Sequence, residues 1–340
     1  MVLEVTSAAV WKCLDDGERA ALRARKQPAW IEPMLATLTD RHFSNPEWIF
    51  ERKLDGVRCL AFRCGSRVRL MSRNRLDMSA TYPEVVAALA RQRCGDFIVD
   101  GEIVAMDGKA TSFARLQARL GTRSPGPELI AAVPVHLYVF DIPWLDGFDT
   151  TRLPVLARKR LLERALRFSG PIVGTEHRAE KGEKFLEQAC RQGWEGLIAK
   201  RASAAYVCKR SRDWLKFKCV ARQELVIAGY TDPTGARQSF GALLVGYYDR
   251  GRLRYAGKVG TGFSAQTLAE LGSKLKRLAT KQCPFEPPPR LPGAHWARPV
   301  LVGEFGFTEW TGDGKLRHPR FHGLRSDKKA ADVRRERPRS

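Results

Sequence analysis

The stretch Trp48–Phe62, WIFERKLDGVRCLAF, sets two mostly apolar runs on either side of an Asp-Gly pair. Runs of this length, rich in Ile, Phe, Val and Trp, read as strands when turn residues bound them. The expected strands are Trp48–Leu54 and Val57–Arg63. Between their apolar residues lies Glu51-Arg-Lys-Leu-Asp-Gly-Val-Arg58. With Ile49–Asp55 extended, Glu51, Lys53 and Asp55 project from the same face, because side chains alternate along a strand. A lysine flanked by carboxylates in this way is, taken alone, an ordinary surface ion pair.

Outward from this segment, short strands alternate with helices from Ile31 to about Val220. Further strands are expected at Val68–Arg73, Phe97–Met106, Val135–Ile142, Leu197–Lys200 and Trp214–Cys219, and helices at Pro83–Arg93, Ser112–Leu120, Leu156–Phe168 and Lys181–Gln192. That mixture points to an α+β domain with antiparallel sheets. After Cys219 the chain reads as strands Leu225–Tyr230, Ala242–Tyr248, Leu253–Val259 and Val300–Phe307, with one helix near Ala265–Thr280. A strand-rich unit with a single helix fits a small Greek-key barrel of the OB type. The expected division is a polar arm over residues 1–27 with a helix across Asp15–Lys26, one domain over 28–221, the barrel over 222–330, and a solvated basic tail over 331–340.

Composition narrows the function. With 44% hydrophobic and 28% charged residues, the chain has the makings of folded cores. No apolar run reaches the roughly 20 residues of a membrane helix, and the N-terminus lacks the apolar stretch of a signal peptide, so a cytoplasmic, membrane-free protein is expected. The eight cysteines are scattered without a CxxC pair and read as small buried hydrophobes, with neither zinc sites nor disulfides expected. Lys+Arg 59 against Asp+Glu 37 gives a net charge of +22. Such an excess attracts polyanions and supplies phosphate contacts, so nucleic acid is the expected partner.

The KLDG segment gains meaning from its company. Ser72-Arg73-Asn74 follows a strand end, and Asp100-Gly-Glu102 interrupts the apolar run FIVDGEIVA, where unpaired carboxylates would be costly. Tyr138-Val-Phe140-Asp141 and Glu195-Gly-Leu-Ile-Ala-Lys200 come next. In Arg210-Ser-Arg-Asp-Trp-Leu-Lys216-Phe-Lys218, the residues Leu215, Phe217 and Cys219 face one way, and Trp214, Lys216 and Lys218 the other. Phe240-Gly-Ala-Leu-Leu-Val-Gly246, Tyr255-Ala-Gly-Lys-Val-Gly-Thr-Gly-Phe263 and the run Glu309–Lys328, EWTGDGKLRHPRFHGLRSDK, complete the series.

In this order the segments resemble the motif series of the covalent nucleotidyltransferases, in particular the ATP-dependent DNA ligases and, among them, the ligase domain of bacterial end-joining ligases. The resemblance runs from about Ile31 to Lys328. It departs at Cys208, where the family usually has glycine. It implies an adenylation domain followed by an OB-fold domain, with Lys53 as the nucleophile that takes AMP from ATP. Lysine suits such transfer because its phosphoramidate is energy-rich yet lasts long enough to pass AMP on. A free amine, with a pKa near ~10.4, is protonated at neutral pH, and the cations of Arg58, Lys216 and Lys218 together with Mg²⁺ would lower it.

By motif match, Phe140 stacks on adenine and Glu51 accepts from its amino group. Glu102 and Arg73 hold the ribose, Lys216 and Lys218 meet the α-phosphate, and Arg58 and Arg210 belong to the same nucleotide site. Glu102 and Glu195 position Mg²⁺, for which Mn²⁺ can substitute. Arg325, Asp327 and Lys328 orient the departing pyrophosphate. The implied partners are nicked or broken duplex DNA, together with Ku and repair polymerases in trans, and the protein itself is expected to be a bacterial, cytoplasmic, nucleoid-associated monomer. An RNA-capping guanylyltransferase and an RNA ligase share the lysine chemistry, and an inactive DNA-binding module is a reading of another class.

Overall fold

The computed structural model describes residues 7–108, 110–219, 221–233, 239–307 and 310–336. The chain divides after Cys219 into two compact units.

Two sheets organise the first unit. Among the described residues, the larger has eight strands, its main path running Arg23–Ala24, Phe148–Asp149, Val135–Leu145, Phe97–Asp107, Val57–Cys64 and Arg67–Ser72. Neighbours on that path are antiparallel, whereas Ile172–Gly174 joins Val135–Leu145 in parallel. The smaller has five strands in the order His177–Glu180, Asn45–Arg52, Gly196–Arg201, Arg210–Lys218 and Leu35–Leu38. Its last pair is parallel. The long strands Phe97–Asp107 and Val135–Leu145 are almost wholly buried, as their mostly apolar sequence favours. Helices Pro83–Ala90 and Val155–Ala165 bury Val85, Leu89, Leu161 and Leu162 in the same core.

The two strands of the opening stretch lie in different sheets. Asn45–Arg52 belongs to the smaller and Val57–Cys64 to the larger, so Lys53–Gly56 is the crossover between them. The extended segment therefore stops at Arg52, and Glu51, Lys53 and Asp55 do not share a strand face as expected. Asp55 is buried, with its backbone amide donating to the Thr111 hydroxyl at 3.1 Å. Gly56 is demanded by crowding, since a Cβ there would lie 2.2 Å from the Ile103 carbonyl oxygen.

Three further expectations are corrected. The described part of residues 1–27 is not an arm: Val10 and Leu14 are buried in the main core, and Arg23–Ala24 pairs with Phe148–Asp149. The helix expected across Asp15–Lys26 is confined to Asp16–Ala21, with Asp15 and Glu18 forming a capping box. The cysteines are not all buried hydrophobes. Cys190, in helix Gly182–Arg191, is disulfide-bonded to Cys219, while Cys64 and Cys208 are exposed. Strand and helix bring that pair together across 29 residues, which sequence spacing does not encode. The end of the chain is not wholly a solvated tail. Val333 is buried in the second core, and Gln223 binds the backbone of both Arg334 and Glu336 at 2.9 and 3.0 Å. Residues 337–340 lie outside the described residues.

The second unit is of OB type, a curled antiparallel sheet with one eight-residue-or-longer helix among the described residues. Its order is Arg252–Val259, Leu243–Asp249, Ala221–Thr231, Ala294–Phe307 and Ala279–Thr280, with Arg320–Leu324 also on Ala294–Phe307. Bulges between Ile227 and Gly229 and between Val245 and Gly246 give the curl. Helix Ala265–Arg277 is capped by Ser264 and buries Leu271 and Leu275 against this sheet's core.

Inside the first unit, Arg158 on helix Val155–Ala165 grips Asp141 through two bonds of 2.6 and 3.0 Å, both side chains fully enclosed. Burial alone would raise the Asp141 carboxyl, but the Arg158 guanidinium holds it below the usual carboxylate range. Asp141→Asn should therefore cost about 3–5 kcal/mol, the usual cost of breaking a buried pair, read as a lower urea midpoint. Because the folded pKa is depressed, this contribution is complete above the unfolded value near ~4 and disappears as pH falls through the folded one. A variant that unfolds like the parent at neutral pH would contradict the assignment.

Candidate active site

The crossover sets Lys53 beside the smaller sheet, where its backbone amide donates to the Gly196 carbonyl at 2.9 Å. Gly196 has φ +148°, and a Cβ there would fall 1.9 Å from the Phe217 oxygen, so only glycine fits the rung between Lys53 and Lys218. One residue before it, Glu195 places Oε1 2.5 Å from Lys53 Nζ. The next rung aligns Glu51, Ile198 and Lys216 across three strands. Lys200 and Trp214 pair on the rung beyond.

Strand alternation in Arg210–Lys218 follows the expected faces. Phe217 is buried with Trp48 and Phe50, and Leu215 and Cys219 pack against that cluster. Trp214 turns the other way, into a cluster with Met34, Phe140 and Tyr206. Phe140 and Trp214 meet edge to face at 6.2 Å. Two cations lie against the Phe140 ring: the Arg58 guanidinium at 4.6 Å and the Lys200 ammonium at 4.7 Å, the latter also 4.1 Å from the Trp214 centroid. Arg58 and Phe140 come from the larger sheet, Lys200 and Trp214 from the smaller, so the aromatic wall joins the two.

Arg58 is fixed by a fork to Asp100, with both bonds 2.5 Å, and by the Met34 carbonyl at 3.1 Å. Asp100 also accepts from the Tyr206 hydroxyl at 2.6 Å. Burial favours a neutral Arg58, but the Asp100 carboxylate outweighs it and keeps the guanidinium a firm cation. Burial, and then Asp100, push the Tyr206 phenol well above its ordinary value. The Asp-Gly-Glu segment thus divides its carboxylates. Asp100 is structural, while Glu102 is half-exposed on the same strand, opposite Arg58 and Tyr138.

Glu51 is enclosed between two lysines, Lys159 Nζ at 2.7 Å and Lys200 Nζ at 2.9 Å. Burial lowers the Lys200 pKa to about 8; Glu51 opposes the shift and Lys159 adds to it.

The remaining sequence-derived residues are placed differently. Arg73, half-exposed after strand Arg67–Ser72, makes no hydrogen bond or ion pair among the described residues. Arg210 donates to the Ala36 carbonyl on the edge strand. Arg325, Asp327 and Lys328 sit in the second unit. There Arg325 forks onto Asp327 at 2.9 Å and reaches Glu304 at 3.1 Å, while Lys328 meets Glu224 at 3.1 Å. Burial would raise Asp327, yet Arg325 holds it below the usual range.

Sequence reading missed Lys159 and Tyr206. Lys159 sits in a helix pattern and Tyr206 in a loop, and neither carries a local signal. A separate cavity of about 580 Å³ opens among Phe43, Trp48 and Leu215, and none of the residues assigned to the nucleotide site lines it. No described residues form a cluster of three or more His, Cys, Asp or Glu fit to hold a metal unaided. Mg²⁺ commonly takes one or two carboxylates and completes its shell with water and phosphate oxygens, and Glu195 and Glu102 are oxygen donors of that kind.

A two-sheet unit with a lysine at the crossover, followed by an OB-type unit, is the fold of a nucleotidyltransferase of the ligase type. Residues 33–218 match the family model of the ATP dependent DNA ligase domain, and residues 236–328 that of the ATP dependent DNA ligase C terminal region. The chain belongs to the ATP-dependent DNA ligases. Among its relatives is the multifunctional non-homologous end joining protein LigD of Pseudomonas aeruginosa, 38% identical over 320 residues, covering 92% of this chain and 37% of that protein. LigD of Mycobacterium tuberculosis is 36% identical over 316 residues, covering 90% of this chain and 40% of the relative. The chain therefore spans well under half the length of these relatives. A solved structure of mycobacterial DNA ligase D complexed with ATP and MES matches with a TM-score of 0.65 at 34% identity, covering 90% of this chain and 98% of that one. No helix among the described residues is long and apolar enough to cross a membrane.

In a ¹³C NMR titration the Lys200 side chain should show a midpoint near 8, against ~10.4 for exposed lysines. A midpoint matching the exposed lysines would mean that Lys200 is not enclosed beside Phe140.

Proposed function

We propose that this chain joins 5′-phosphate and 3′-hydroxyl ends of DNA, carrying AMP from ATP on Lys53. The observation that carries this reading is the position of Lys53: at a crossover between two sheets, 2.5 Å from Glu195, and beside the sheet that bears Lys216 and Lys218. The Lys53 amine attacks the α-phosphorus, a P–N bond forms, and the bond to pyrophosphate breaks. Lys216 and Lys218 offset the charge gathering on the α-phosphate. The AMP then passes to a DNA 5′-phosphate, and the 3′-hydroxyl displaces it.

Support for nucleotide selection comes from Phe140 and Glu51. The ring supplies a stacking surface, worth about 1–3 kcal/mol by analogy with base stacking. A carboxylate at Glu51 accepts from the adenine amino group and repels the guanine carbonyl. Glu102 and Arg73 take the ribose, and Arg58 and Arg210 complete the nucleotide site. Glu102 and Glu195 would hold Mg²⁺, or Mn²⁺ in its place, which supplies charge neutralisation on the phosphates when bound. Arg325, Asp327 and Lys328 act on the leaving pyrophosphate. The +22 charge suits a duplex partner. The LigD likeness supports a place in end joining, and the partners proposed with it are Ku and repair polymerases, acting alongside a monomer.

Lys53→Ala should acquire no label from α-labelled ATP on a denaturing gel while still binding nicked DNA, and Lys53→Arg should fail as well, because guanidinium stays protonated. Label mapped to another residue, or transfer from GTP in place of ATP, would sink the assignment. Sealing of a DNA nick, with a matched RNA duplex left open, separates this reading from an RNA ligase.

Salt should divide the two steps. Each phosphate contact contributes a slope of about −0.9 to log affinity against log salt, so a several-contact clamp weakens on the order of a hundredfold between 50 and 200 mM. Self-adenylation should persist where sealing collapses. Parallel loss of both would show that the charge excess does not bind DNA.

A further inference from the structure

We propose that Lys159 is a positioning residue for nucleotide selection, holding the Glu51 carboxylate in one orientation so that it reads the purine amino group. This rests on the reading above, in which Glu51 meets adenine. Lys159 belongs to none of the motifs and comes from helix Val155–Ala165, outside the sheet that carries Glu51.

The geometry divides Glu51 between two partners. Lys159 Nζ takes Oε1 at 2.7 Å, and Lys200 Nζ takes Oε2 at 2.9 Å. All three side chains are enclosed, and Lys159 is itself anchored by the Thr175 carbonyl at 3.0 Å. Its neighbour Arg158 is locked to Asp141, which fixes the helix at this turn. A carboxylate bound by Lys200 alone could turn about its terminal torsion, which is broad and two-fold. Lys159 removes that freedom by holding the second oxygen.

The consequence concerns discrimination rather than turnover. Adenine offers a donor at C6, whereas guanine offers a carbonyl. A carboxylate unable to turn accepts from the first and repels the second, and neither a water nor a rotated oxygen relieves the mismatch. Freed from Lys159, Glu51 can swing towards Lys200 and leave room for the guanine oxygen. Lys159 also disfavours the charged form of Lys200, so its removal makes Lys200 a firmer cation beside the base.

The test is self-adenylation of Lys159→Met with ATP and with GTP, each at several concentrations in Mg²⁺. The ATP-over-GTP ratio of kcat/KM should fall about tenfold or more, through a raised KM for ATP with kcat little changed. Both nucleotides are assayed in one preparation, so the ratio is independent of the folded fraction. A merely structural lysine would lower both rates together and leave the ratio alone. Lys159→Arg should restore most of the preference. Should Lys159→Met yield no folded protein, Lys159→Gln, which keeps a donor without the charge, takes its place. A parental ratio in the variant overturns the proposal, whereas absence of Lys53 labelling in the parent protein overturns the underlying reading instead.

Discussion

The pairing of Arg58 with the buried Asp100 is the constraint on which the site depends. Asp100 has no exposed surface, and a carboxylate is kept there only when it is paired and hydrogen-bonded. Arg58 and Tyr206 engage it, and in doing so they bind four segments together: the strand after the crossover, the strand Phe97–Asp107, the loop carrying Tyr206 and the backbone of Met34. Arg58 is thereby pinned under the Phe140 ring. A residue that reads in the sequence as one more phosphate-binding cation is, in the fold, first a fastening for the wall against which the base is proposed to stack.

The same solution recurs around the site. Asp141, the residue after Phe140, is locked to Arg158, and Glu51 is shared between Lys159 and Lys200. Each buried carboxylate has a cation from a different element, so the aromatic wall and the proposed base-reading group are held by charge as well as by packing. Such pairs add little net stability over apolar residues, but removing one partner is costly, and orientation is what they secure. Lys53 differs in holding an ion pair whose partner, Glu195, is itself proposed to meet a metal. In the second unit Arg325, Asp327, Glu304, Lys328 and Glu224 form their own linked set. Their proposed action on pyrophosphate therefore entails an exchange of partners.

Much of the fold was legible because strand periodicity is local. In Arg210–Lys218 the alternation of Trp and Lys with Leu and Phe stated which side faces the core, and Leu215, Phe217 and Trp214 lie as that alternation required. Helix positions were legible too, though each ended earlier than its apolar pattern, as with Pro83–Ala90 and Ala265–Arg277. The α+β class, the OB-type second unit and the motif series were carried by these local signals.

What the sequence by itself determined is therefore the identity and order of the chemical groups: a lysine before Asp-Gly, an aromatic residue before a buried aspartate, and two lysines on one strand face. Tertiary structure alone decided that Lys53 lies between two sheets rather than within a strand, that Asp100 and Glu102 part company, and that Lys159 reaches Glu51. It also decided the Cys190–Cys219 bond and the burial of Val10 and Val333. The reason is physical. Alternation and capping act between residues a few positions apart, whereas a buried charge takes whichever partner the packed chain brings within 3 Å, and for Glu51 that partner is over a hundred residues away.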